Sequence, residues 1–62
     1  MNTTKISNIE KGEYFRLSET GPVWFKNHYD RSLKKYSISL FLDTNHEKFV
    51  DGKLIVFVDF DF

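Results

Sequence analysis

The sequence predicts a mostly β protein: one small domain over residues 1–62, four to five antiparallel strands, and an SH3-like barrel as the architecture. Three observations lead there. Apolar and polar residues alternate with a period of two through much of residues 13–62, the signature of half-buried strands. Seven Phe, three Tyr and one Trp stand in 62 residues, with Val and Ile beside them, a set enriched in strands. Gly, Pro and Asp-Gly punctuate the alternating runs at turn spacing. An open antiparallel sheet is the alternative packing of the same elements.

Residues 1–12 read as a polar lead-in. Ser7-Asn8-Ile9-Glu10 matches a capping box, Gly12 can stop a single turn, and Ile6 and Ile9 are the residues that would cover one end of the core. Glu13 to Ser18 is the first strand, with Phe15 and Leu17 on one face and Tyr14 and Arg16 on the other. Glu19-Thr20-Gly21-Pro22 is a turn. Val23 to Tyr29 is the second strand, and residues 30–33 close a hairpin to a third over Lys35–Leu42. Thr44-Asn45-His46-Glu47 is another capping-box match, which predicts one short helical turn before the last strand. Asp51-Gly52 is a turn signal. Lys53 to Phe62 is the last strand, with Leu54, Val56, Val58, Phe60 and Phe62 on one face and Ile55, Phe57, Asp59 and Asp61 on the other.

Composition narrows the function classes. A chain of this length buries only about 60% of the surface its unfolded form exposes, so the core is thin. There is no cysteine, which removes disulfides and thiolate zinc sites and fits a cytoplasmic location. No apolar run reaches the roughly 18 residues of a spanning helix. Nine Lys/Arg balance nine Asp/Glu, which argues against a strongly basic nucleic-acid binder.

Chemistry finds little purchase. His28 and His46 are the only histidines, and no motif surrounds a serine; Ser32 near His28 reads as a turn residue. Asp43-Thr44-Asn45-His46-Glu47 begins like a calcium loop, but Lys48 and Leu54 stand where Gly and Glu are required. Asp43, His46 and Glu47 on one helical turn read as a capped, solvated turn before they read as a metal site. The glycines are scattered singly, so no phosphate-cradling loop exists. The expectation is a binding module with no catalytic residue, no metal and no cofactor.

Two surfaces qualify, the first for contact with nucleic acid, which is the leading expectation, and the second for protein, the alternative. Between Lys26 and Lys35, four positive residues (Lys26, Arg31, Lys34, Lys35) face one negative, Asp30, for a local charge of +3. Residues 43–62 carry five acids against two lysines, or −3. The basic hairpin also holds Trp24, His28, Tyr29 and Tyr36, so cations that track phosphate stand beside rings that stack on bases. Tyr29 and Tyr36 equally suit a cross-strand pair, and Trp24 a core. The second surface is apolar. Ile55 and Phe57 oppose the core-facing set of the last strand, Phe41 joins them, and either Trp24 or its neighbours Val23 and Phe25 must also face outward. Such a patch marks a protein interface, with a homodimer the expected assembly, unless residues 1–12 or the turn bearing Phe49 and Val50 fold over it.

The run Lys11-Gly12-Glu13-Tyr14-Phe15-Arg16-Leu17, then Tyr29-Asp30-Arg31-Ser32 with Lys34-Lys35-Tyr36, and later Asp43, Asn45 and Gly52, resembles small uncharacterised proteins carried by phages and mobile elements of gut bacteria. The resemblance covers most of the chain from Lys11 onward and implies no activity or site residue. It implies a bacterial or phage cytoplasm, and either contact with nucleic acid or the blocking of a host protein.

Overall fold

The computed structural model describes residues 2–60 and is mostly β. Its strands are β1 (Asn2–Lys5), β2 (Tyr14–Arg16), β3 (Val23–Asp30), β4 (Lys35–Leu40), β5 (Asp43–Val50) and β6 (Ile55–Val58), with a 3-10 turn at Ile6–Asn8. They form one antiparallel sheet in the order β1-β6-β2-β3-β4-β5. The expected closed barrel is not formed: β1 and β5 end the sheet as two edges, and the open alternative is the one adopted.

Register assigns the faces. Phe15 pairs Trp24, which pairs Leu40; Lys26 pairs Ile38, which pairs Lys48. Cross-strand partners share a face, so these residues line the inner one. The core lies there: Ile6, Ile9, Phe15, Trp24, Ile38 and Val56 are buried, with Leu17, Tyr36, Leu40, Val50 and Val58 packed around them. The lead-in supplies the lid. After β1 pairs with β6, the Ile6 N–H donates to the Leu54 carbonyl (2.9 Å) and the Ser7 N–H to that of Gly52 (3.2 Å). Both isoleucines thereby reach the core, as their spacing predicts. Gly52 has a steric role here: a Cβ on it would lie 3.0 Å from the Tyr36 ring and 3.5 Å from Ser7 Cβ.

Two sequence expectations fail for identifiable reasons. The helical turn at Thr44–Glu47 is part of β5. A local capping signal loses to pairing along β4, where Ser37, Ile38 and Ser39 face Phe49, Lys48 and Glu47. The mismatch is absorbed by a register shift that leaves Thr44, Asn45 and His46 between the partners of Ser39 and Leu40. The last strand is also shorter than its alternation suggests. It ends at Val58, and Asp59 turns the chain with φ 58°. Asp61 and Phe62 lie outside the described residues. Asp59 follows an inner strand, since β6 sits between β1 and β2. Its carboxylate accepts from the Asn2 side chain at 2.8 Å.

Candidate docking face and basic hairpin

The hairpin separates into a buried base and an exposed tip. Trp24 is only 6% exposed and lies in the core, with the His46 ring 5.6 Å from its own and the Lys48 amine 4.9 Å above it. Lys26 is likewise 6% exposed. Its Nζ donates to the Ile9 carbonyl and sits 4.2 Å from the centre of the Tyr36 ring. Burial holds the Lys26 amine below the ordinary lysine range, and the charge of Glu13 partly opposes that shift. Trp24 and Lys26 are thus structural, and neither is placed to stack on a base or meet a phosphate. Period-two spacing groups Trp24, Lys26 and His28 on one face; the first two share the core side, while His28 lies in the bulge after Lys26 and is exposed.

At the tip, His28, Tyr29, Arg31, Lys34 and Lys35 are exposed. A one-residue bulge in β3 between Lys26 and Tyr29 shifts the register, and Tyr29 pairs Tyr36 with ring centres 4.9 Å apart. The Asp30 carboxylate accepts from the N–H groups of Ser32 (2.9 Å) and Leu33 (3.1 Å), which fixes the turn. Lys34 adopts φ 56°. Tyr36 is half-buried against the core, leaving Tyr29 as the exposed ring of the set.

The outer face follows from the same register. Tyr14 pairs Phe25, which pairs Ser39, which pairs Glu47; Phe57 pairs Arg16, which pairs Val23. The Tyr14 ring stands edge-on to Phe25 (6.3 Å) and to Phe41 (5.4 Å). Phe41 is 40% and Ile55 51% exposed, and Phe57 is half-buried. All three residues expected at a protein interface therefore lie away from the core. Val23 and Phe25, the alternative outward pair to Trp24, are outward and half-buried. Ile6 and Ile9 of the lead-in pack on the opposite side, and β1 extends the sheet beside β6, so the lead-in does not fold over them.

Sequence reasoning missed two features of this face. One is a polar network: Asn27 Nδ2 donates to Ser39 Oγ (2.7 Å) and Ser37 Oγ (3.3 Å), and Ser37 Oγ donates to Glu47. Both serines are buried. Alternation of Ser37 and Ser39 with Ile38 was legible, but reads as a solvent face. The other is an open groove of about 300 Å³ lined by Arg16, Gly21, Pro22, Val23, Phe41 and Leu42. A second depression of about 280 Å³, lined by Glu13, Tyr14, Val58, Asp59 and Phe60, lies beyond the single β2–β6 pair.

Asp43, His46 and Glu47 do not converge. Asp43 accepts from the Asn45 N–H, His46 meets Trp24, and Glu47 accepts from Ser37. Among the described residues, no three acidic, histidine or cysteine side chains are grouped to hold a metal ion, and no helix is long and apolar enough to cross a membrane. No family model matches the chain, and no curated protein or solved structure matches it either.

Proposed function

We propose that this protein is a non-catalytic binding module of the cytoplasm that docks protein on the outer face of its sheet, assembling with a second copy of itself. One observation carries the reading. A single sheet has two faces; the core, with Ile6 and Ile9 of the lead-in, occupies one, while Tyr14, Phe41 and Ile55 are exposed on the other beside half-buried Phe25 and Phe57. Apolar side chains gathered on one exposed face mark an interaction surface more often than a solvated one. Aromatic anchors of this kind supply most of the energy of a protein interface.

The test is sedimentation equilibrium on the purified chain. Wild type is expected above monomer mass, and Ile55→Lys or Phe57→Glu is expected to return it to monomer with an unchanged far-ultraviolet spectrum. A monomeric wild type across the accessible concentrations contradicts the reading.

A second reading rests on the hairpin tip. His28, Tyr29, Arg31, Lys34 and Lys35 are exposed together, and they retain the pattern of cations around an aromatic ring that single-stranded nucleic acid uses. Loss of Trp24 and Lys26 to the core leaves this site with one exposed ring, which is why it stands second.

A further inference from the structure

The groove at the β4–β5 turn holds an apolar floor and a cation that no carboxylate of the described residues neutralises. Arg16 Nη1 donates to the Glu19 carbonyl at 3.1 Å, and the guanidinium lies 4.7 Å from the centre of the Phe60 ring. Neither contact is a carboxylate. Arg16 Nε is buried and has no hydrogen-bond partner among the described residues. The rest of the lining is Gly21, Pro22, Val23, Phe41 and Leu42, and Leu42 is 87% exposed, the extreme value among the large apolar residues described. The next residue, Asp43, is exposed and uses one carboxylate oxygen locally, on the Asn45 N–H at 3.3 Å.

An exposed leucine followed by an acid therefore stands beside an apolar groove that ends in an arginine. These features complement each other in shape and charge. We infer that the groove is the contact by which two copies of this chain join: Leu42 of each copy seats in the groove of the other, and Asp43 of each pairs with Arg16 of the other. A two-fold contact of this kind presents the same patch from both sides, so each ion pair occurs twice. Planar guanidinium against carboxylate is the pairing whose geometry sets register as well as affinity. The inference rests on the self-association proposed above and names the residues that make it.

The test is a charge reversal followed by sedimentation equilibrium. Asp43→Lys sets an ammonium against Arg16 at both contacts, and Arg16→Glu sets a second carboxylate against Asp43 at both. Each alone is expected to weaken self-association by at least about tenfold, since like charges facing across an interface are strongly unfavourable. An equimolar mixture of the two variants is expected to associate again, because in the mixed dimer both contacts are attractive or relieved of repulsion: one joins the two native residues and the other joins the two replacements. Leu42→Ser, at a site too exposed to matter for folding, is expected to weaken association without any charge change. If Arg16→Glu proves unfolded by circular dichroism, Asp43→Lys and Leu42→Ser decide. Asp43→Lys and Leu42→Ser both associating like wild type would overturn the inference, as would folded Arg16→Glu and Asp43→Lys failing to recombine. Dissociation by Ile55→Lys with none by Asp43→Lys or Leu42→Ser would overturn this contact and keep the broader face. Dissociation by Asp43→Lys and Leu42→Ser with none by Ile55→Lys would support this contact and overturn the broader face.

Discussion

Lys26 shows how one residue can look functional in sequence and be structural in the fold. A lysine between aromatic residues on a basic hairpin has the appearance of a phosphate contact. Its stem instead crosses the inner face, and its amine ends on the Ile9 carbonyl over the Tyr36 ring. The cost is desolvation, which depresses the folded-state pKa. The sign of the pH dependence follows. A folded amine that loses its proton below the unfolded value binds fewer protons than the unfolded chain in the interval between the two. Stability then rises with pH through that interval and gains nothing below it. Lys26→Met removes this term. The stability of wild type minus that of Lys26→Met is therefore expected to increase as pH climbs from neutrality toward the ordinary lysine value. Urea melts of both proteins at several pH values measure the difference, in which the other titrating groups cancel. A difference that is flat or falls with pH would show that the amine is not held in a desolvated site.

At the scale of elements, β4 is clamped from both sides by something other than its ladder. The Asn27, Ser37, Ser39 and Glu47 side chains tie β3, β4 and β5 together across the outer face. Asn27→Ala is expected to destabilise the fold by about 1–3 kcal/mol, because it leaves Ser37 and Ser39 buried with fewer partners. In that background Ser39→Ala is expected to cost much less than it does alone, a coupling that a double-mutant cycle by chemical denaturation measures. Equal costs in both backgrounds would mean the serines are satisfied independently of Asn27. Burial explains what was legible beforehand. Period two identified β2, β3, β4 and β6, because each has one side against Phe15 or its neighbours, and burial writes alternation into sequence. The capping-box lead-in identified Ile6 and Ile9 as core, and period two placed Phe41, Ile55 and Phe57 outward. It missed β1 because Asn2–Lys5 is exposed nearly throughout and carries no apolar rhythm. It misread β5 because that strand's side chains are mostly exposed, and its pairing is held by Lys48 over Trp24 and Glu47 on Ser37, contacts made only after folding. The groove beside Arg16 was invisible because the β4–β5 turn, which brings Phe41 and Leu42, lies far in sequence from the Arg16–Val23 segment that supplies the rest of the lining.

For the whole molecule, the decisive feature is that the basic hairpin tip and the outer sheet face are separate places. The +3 run has its exposed members at the hairpin tip, while Tyr14, Phe41 and Ile55 are exposed on the outer face. The two therefore respond differently to salt. Contacts with phosphates release counterions and weaken steeply as salt rises, whereas burial of apolar area does not. If the outer face makes the assembly, its mass is expected to fall with salt far less than oligonucleotide binding does, since only the two Arg16–Asp43 pairs are screened, and the triple variant Arg31→Ala, Lys34→Ala, Lys35→Ala is expected to sediment like wild type. The same variant is expected to lose whatever affinity the protein has for a single-stranded oligonucleotide, measured by fluorescence anisotropy at low salt. Should the triple variant dissociate the assembly, the tip and not the sheet face holds the copies together. Should it keep full oligonucleotide affinity, the exposed cations around Tyr29 are solvated surface, and the hairpin serves only to carry Trp24 and Lys26 into the core.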